Sequence, residues 1–181
     1  MYSFKYLAHF ARLFFSLTVK FDHAGIAIVV TVYTVGHAYF WFYHDVFFAV
    51  LYGGLISAVG VYVAISIVGN VEISKARRFT GFFSIGAVSI LPLAHFVGAF
   101  GWGPLVSHPA FPFYLCGSGI NILGGSMYAF KVPERFCPGK LDLLFNSHQF
   151  LHLCVTGGAY FYLRGFFKMS RTKLIVSSEL L

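Results

Sequence analysis

Between Val46 and Val71 the chain runs for 26 residues without a charged side chain. A helix of that length covers ~39 Å, more than the ~30 Å of hydrocarbon in a bilayer. Four further stretches have the same character. Ala24–Tyr43 carries no charge beyond any proton on His37, and Phe79–Phe100 is apolar apart from His95. Pro104–Phe130 is interrupted only by His108 and Asn121, and Ser147–Leu163 is shorter and holds two histidines. Over the whole chain of 181 residues, 58% are hydrophobic and 10% charged, whereas a soluble domain has ~25% charged residues. Too few polar residues remain to coat a globule. A cytosolic enzyme, a disordered chain and a nucleic-acid-binding domain are excluded.

The reading is an all-α membrane protein, a polytopic helical bundle of five full spans plus a partial first one. The partial span is Tyr6–Val19, interrupted by Arg12. It makes a poor signal peptide, because Arg12 breaks the apolar region and no small-residue cleavage site follows. It reads as the end of a helix, so a shortened chain is expected. Residues 1–168 are expected to form the membrane domain and 169–181 a C-terminal tail. Cys116, Cys137 and Cys154 have no CxxC spacing and give neither a disulfide framework nor a cysteine zinc site.

The net charge of +7 arises from 13 Lys and Arg against 6 Asp and Glu, and it is distributed by loop. Lys20, then Lys75, Arg77 and Arg78, then Lys131, Arg135 and Lys140 fall in alternate connections. The intervening turns, His44–Asp45 and Gly101–Gly103, have no Lys or Arg. All the basic connections therefore face one side, which the positive-inside rule makes the cytosol. Arg164, Lys168, Arg171 and Lys173, beyond the last span, depart from that pattern. Gly117, Asn121 and Gly125 recur every four residues, as do Gly53 and Ser57. Such small-residue stripes are expected to pack helices closely.

Ser147-His148-Gln149-Phe150-Leu151-His152 opens the last span. On a helix, i and i+4 lie ~40° apart around the axis and ~6 Å along it. His148 and His152 can then converge on one ion, as in two-histidine zinc sites. Chance pairing among eight histidines gives the same spacing, but polar groups inside a membrane usually face the bundle interior. Asp22, just after Lys20, is expected at the same depth. It is a candidate partner of the pair, and equally a candidate N-cap for His23–Ile28. His23 points about 100° away from Asp22 on a helix and reads as packing or interfacial. His37, ~22 Å along from Asp22, belongs near the outer face with His44, His95 and His108. His9 is a candidate third ligand. The loop Lys131–Asp142, with Pro133 and Pro138-Gly139, reads as a structured connector in which Glu134 and Arg135 pair or cap helix ends.

These residues carry a resemblance. Tyr128-Ala129, Pro133-Glu134-Arg135, Pro138-Gly139-Lys140, Asp142 and Ser147-His148-Gln149 through His152 resemble the progestin and adiponectin receptor family. Phe21-Asp22-His23-Ala24-Gly25-Ile26 is similar to its aspartate motif, where a Tyr often stands at the place of His23. Pro92 and His95 resemble the family's fifth span. The likeness runs from about Ser3 to Gly165, with the adiponectin-receptor branch nearer than the progestin branch.

The resemblance implies a seven-helix bundle with its N-terminus in the cytosol. It also implies an intramembrane zinc held by three histidines, with an aspartate acting through a bound water. His148 and His152 match two ligands and Asp22 matches the aspartate. The third histidine belongs to a Ser-x-x-x-His motif, whose Ser falls on Met1 and whose His falls on Lys5. The chain departs from the family there, and the family's first helix has no counterpart.

The function implied is that of a multi-pass integral membrane receptor with zinc as cofactor, in the plasma membrane or an endomembrane. Its partners would be the bilayer and a lipid substrate or other hydrophobic ligand, with no nucleic acid. Because the family's ligands resemble those of alkaline ceramidases, the reaction implied is hydrolysis of a ceramide-like amide, with Asp22 as the catalytic residue. The alternatives are a signalling receptor with a structural zinc, answering to a hormone-type ligand, and an inactive truncated paralogue.

Overall fold

The computed structural model describes residues 2–69, 75–136 and 145–179. Within these, the side chains of 2–6, 8, 9, 12, 13, 40, 75–79 and 172–179 lie outside the description. The described residues form helices joined by turns, with no strand among them. In chain order they are α1 (Tyr2–Trp41), α2 (Val46–Gly69), α3 (Lys75–Phe100), the short α4 (Trp102–Ser107), α5 (Phe111–Phe130) and α6 (Ser147–Glu179).

α1 lies along α2 and also touches α3 and α6, while α5 lies along α6. α1 thus joins the two helix pairs. At one end Ala24 and Ala27 of α1 pack with Val63 and Ile67 of α2 and Ile85 of α3. At the other end Trp41 and Phe42 pack with Ala49, Phe96 and Leu105. α1 and α6 run parallel, held by Ile26 against Leu151 and Val155 near the first end and by Gly36 against Phe166 near the second. Lys20, the start of α3 and the turn after α5 therefore share one end of the bundle, as the alternation of loop charge predicts.

The structure corrects the segmentation of the first span. No turn separates Tyr6–Val19 from Ala24–Tyr43, and α1 is one helix of 40 residues. The physical reason is that nothing in Lys20-Phe21-Asp22-His23 breaks a helix: there is neither Pro nor Gly. Lys20 is buried within it. Asp22, being mid-helix, is not an N-cap. At ~60 Å, α1 is about twice the thickness of the hydrocarbon core. Its first half, with Leu7, Phe10, Phe14 and Phe15 exposed, projects beyond α6.

A second correction falls on Pro104–Phe130. That stretch breaks between α4 and α5, where Pro109 ends one helix and Pro112 sits in the first turn of the next. α6 runs past Gly165, and Met169 is buried against Ala110.

Three of the described helices are long and apolar enough to cross a membrane by themselves: Phe14–Tyr39, Val46–Gly69 and Thr80–Phe100. α5 and α6 are less apolar because their small and polar residues face each other. A Cβ on Gly117 would come within 3.0 Å of the Tyr162 ring, and one on Gly158 within 2.6 Å of the Asn121 amide. Gly124 leaves no room beside Cys154, whereas Gly125, the residue expected in the stripe, meets nothing within 4 Å. The seam of α5 is therefore Gly117, Asn121 and Gly124. Leu115, Ile122, Leu123, Leu153 and Leu163 point outward and are exposed, as lipid-facing residues would be. The chain is a multi-pass integral membrane protein.

Candidate metal centre

The start of α6 is fixed by its own sequence. The Asn146 side chain accepts the Gln149 backbone N–H at 3.0 Å, and the Gln149 side chain accepts the Phe145 backbone N–H at 2.7 Å. This reciprocal arrangement resembles a capping box. Ser147 Oγ donates to Glu134 Oε1 at 2.7 Å, tying the helix start to the preceding loop. Glu134 thus acts at a helix end, as its place in the loop predicts. Burial opposes charge on Glu134. The Ser147 hydroxyl, nearby backbone N–H groups and Lys131 outweigh it and hold the carboxyl below its ordinary range.

His148 and His152 follow one turn apart on α6, and their Nε2 atoms are 3.2 Å from each other. Asp22 arrives from α1. It stands four residues before Ile26, on the face that packs against Leu151 and Val155. The same register that buries those three apolar residues brings the carboxylate to the imidazoles. Asp22 Oδ2 lies 2.8 Å from His148 Nε2 and 3.1 Å from His152 Nε2. All three side chains are about one-third exposed.

These donors form a group that can hold a metal ion, and the geometry tests the fit. A tetrahedral ion ~2.0 Å from each donor requires donor–donor edges of about 3.3 Å. The observed edges are 2.8, 3.1 and 3.2 Å. Two imidazole nitrogens facing each other across 3.2 Å, both aimed at one carboxylate oxygen, is poor hydrogen-bond economy. It is good convergence for a cation. A mixed nitrogen–oxygen set suits zinc.

The remaining candidates do not join this group. Lys5 and His9 stand 17 and 13 residues before Asp22 on the same helix, which sets them ~26 and ~20 Å along its axis. Their side chains lie outside the described residues. His37 is at the other end, with its ring 4.5 Å from that of Tyr162. His95 Nδ1 is 2.9 Å from Tyr52 Oη, and His108 packs 4.6 Å from the Trp41 ring.

His23 was the residue that helix geometry undervalued. Its ring turns into the bundle, where it is 2% exposed, yet its Nδ1 stays 4.0 Å from Asp22 Oδ2. Its Nδ1 donates to the Val19 carbonyl at 2.7 Å. That fixes the neutral tautomer whose Nε2 accepts from Tyr128 Oη at 2.9 Å. The His23 and Tyr128 rings stand 5.0 and 5.8 Å from the His148 ring. The pair forms a polar wall that limits where His148 can turn. Tyr128 belongs to the motif that carries the resemblance, and that was the available signal.

Comparison with known proteins adds a family match and three relatives. Residues 2–163 match the pattern of the family described as haemolysin-III related. Among curated proteins, the progestin and adipoQ receptor-like protein 1 of Caenorhabditis elegans is 28% identical over 86% of this chain and 36% of its own length. The adiponectin receptor protein of Drosophila melanogaster is 29% identical over 87% of this chain and 36% of its own. The heptahelical transmembrane protein 4 of Arabidopsis thaliana is 32% identical over 82% of this chain and 39% of its own. The chain spans well under half the length of these relatives. With nearly its whole length matched and these relatives beside it, the chain belongs to the haemolysin-III related family, that of the progestin and adiponectin receptors.

Proposed function

We propose that this protein is a receptor-like membrane protein that binds zinc through His148, His152 and Asp22, and that the site hydrolyses a ceramide-like lipid amide. The observation that supports this is the convergence of three donor atoms, from two helices, within 3.2 Å of one another. Zinc in a nitrogen–oxygen site polarises a carbonyl and lowers the pKa of water towards ~7. The protein's part is positional. His148 and His152 are set by a capped helix start, and Asp22 offers one oxygen to the imidazoles and keeps the other to orient a water proton. The apolar bundle and surrounding bilayer accommodate the acyl chains.

The test is zinc content and ceramide turnover measured on the same purified sample. Near-stoichiometric zinc with turnover lost on chelation and in Asp22→Asn supports the reading. Full zinc occupancy without turnover rejects the catalytic half of it.

A second reading, a signalling receptor with a structural zinc, draws on one further observation. Asp22 Oδ2 touches both imidazoles directly, so it can serve as a purely structural ligand with no part in orienting a water. If Asp22→Ala loses zinc and folding together, that reading gains over catalysis.

A further inference from the structure

A cavity of about 420 Å³ opens between α1 and α6 on the side away from the candidate metal centre. That volume is within the ~300–1,000 Å³ of small-molecule sites. Its walls include Ile28, Val32, Leu163 and Phe166, with His37, Tyr33 and Tyr162 as the polar members. Two of those three have partners for their polar atoms. Tyr33 Oη accepts from Asn121 Nδ2 at 2.8 Å, and Tyr162 Oη shares a 2.7 Å hydrogen bond with Ser118 Oγ.

His37 is the exception. It is 4% exposed, and its Nδ1 donates to the Tyr33 carbonyl at 2.7 Å. A carbonyl only accepts, so Nδ1 carries the proton and Nε2 presents a lone pair. No hydrogen-bond partner for Nε2 is present among the described residues. Among the described residues the fully enclosed unpartnered side-chain atoms are Asn121 Oδ1 and Glu134 Oε2; His37 Nε2 is not sealed off in that way, and His37 lines the cavity, where a donor can reach it. The chain thus offers an apolar slot with a single unanswered acceptor on its wall.

The position of that acceptor selects the ligand. His37 is one turn below Trp41, next to the turn at Tyr43–Asp45 that closes this end of the bundle. Ile28, at the far end of the slot, is nine residues deeper, ~13 Å along the helix towards the midplane. A bilayer molecule with its polar end near the interface and its apolar body directed inward enters in that orientation. A charged headgroup has no counter-charge among the lining residues, and an ether or ester oxygen cannot donate to a lone pair. We infer that the α1–α6 cavity binds a lipid alcohol, an apolar body with one hydroxyl, whose O–H donates to His37 Nε2. His37 is ~22 Å from Asp22 along α1, and Ile28, at the end of the cavity nearer Asp22, ~9 Å; none of the donors Asp22, His148 and His152 lines the cavity, so the inference does not depend on the zinc reading.

The experiment is photolabelling of the purified full chain in lipid nanodiscs. Three probes are used: a photoreactive hexadecanol, its O-methyl ether, and photoreactive cholesterol. Peptide mapping and zinc content are read from the same samples. The expected result is saturable labelling of the 28–37 or 159–166 peptides by one or both alcohols, and at least ten-fold less by the ether. His37→Phe, which keeps a ring and removes the acceptor, should lower labelling by the alcohols to the level of the ether. Val32→Trp, which fills the slot, should abolish it, with zinc content unchanged in both variants. Equal labelling by hexadecanol and its ether in the unaltered chain would overturn the proposal, whatever the variants do. So would labelling confined to other helices. Loss of zinc with labelling intact would strike the proposed function and leave this inference standing.

Discussion

Near one end of the α1–α6 pair, His148 and His152 aim their Nε2 atoms at each other and at Asp22. About 22 Å along the same pair, His37 turns Nδ1 back into its own helix and sits among Tyr33, Tyr114 and Tyr162. Both places hold histidine on membrane helices. They differ in how the ring nitrogens are occupied. In the outer region polar groups pair across helices, Asn121 Nδ2 with Tyr33 and Tyr162 with Ser118, while Asn121 Oδ1 is enclosed without a partner. In the inner region three groups of ligand chemistry share one small volume, with Asp22 Oδ2 within 3.1 Å of both imidazoles and 4.0 Å from His23 Nδ1. A polar network whose members pair across helices holds those helices together. One whose donors converge on a point waits for an ion. His23 shows that residue type does not decide the matter. It lies beside the cluster yet bonds outward, to Val19 and Tyr128.

The largest effect should separate the two regions outright. His148→Ala and His152→Ala are each expected to cut bound zinc from near one per chain to below a tenth, since a site with two remaining donors is far weaker. His37→Phe should leave zinc content unchanged. Mass spectrometry of metal in purified protein checks both. Equal losses in all three variants would abolish the distinction between the regions.

Packing comes next. Gly124→Leu must push into Cys154 and the α6 backbone, and overpacking of this kind costs about 1–3 kcal/mol. Gly125→Ala, one residue further, meets open space and should be neutral or stabilising by up to ~1 kcal/mol, from helix propensity. Thermal denaturation in detergent measures the pair. A similar fall in Tm for both would show that the α5–α6 seam is not where Gly117, Asn121 and Gly124 put it.

A smaller effect probes the wall between the regions. Tyr128→Phe keeps the ring and removes the hydroxyl from His23 Nε2. It should cost about 1 kcal/mol of stability. Groups that orient a metal ligand typically change metal affinity 10–100-fold. The Tyr128–His23 pair constrains His148 only by ring contact at 5.0 and 5.8 Å, so an effect near the lower limit is expected. Zinc competition with a chromophoric chelator reads it. Unchanged affinity would make the pair a packing element alone.

Much of this was legible in the chain itself. The long uncharged runs gave the helices, and the alternation of loop charge put Lys20, α3's start and the 131–136 loop at one end. Counting residues from that end placed Asp22 level with His148 and His152. What was not legible has physical causes. Lys20 and Asp22 read as boundary residues because charges usually mark membrane edges, but a helix former such as Lys gives the chain no reason to turn. Gly124 and Gly125 are indistinguishable by size, and only the way α5 and α6 cross chooses between them. His23 was judged by its angle from Asp22, which takes account of α6 and ignores Tyr128 on α5. The orphan Nε2 of His37 depends on which nitrogen the i−4 carbonyl engages, and no spacing rule reports that.

The smallest predicted effect concerns the strap that holds the start of α6. Glu134 lies in the connector, and its carboxyl is held below the ordinary value of 4.5. Its folded-state pKa is therefore lower than its unfolded one. The sign follows: the stabilisation is complete above pH 4.5 and is lost as pH falls through the depressed folded value. Glu134 is half-buried, with Oε2 enclosed, but Lys131 is exposed, so the Coulombic part is partly screened. What remains is chiefly the Ser147 hydrogen bond, about 1 kcal/mol for a charged acceptor in this setting. Ser147→Ala should lower Tm at pH 7 by a few degrees, an offset that shrinks as pH drops below 4.5, because the unaltered chain loses the same bond strength. Glu134→Gln keeps an acceptor for Ser147 and should flatten the acid limb of the curve. Neither change should affect His37, whose surroundings share no residue with this strap. If Ser147→Ala instead gave a constant offset across the acid range, the bond would be insensitive to charge on Glu134. The start of α6 would then be held by Asn146 and Gln149 alone.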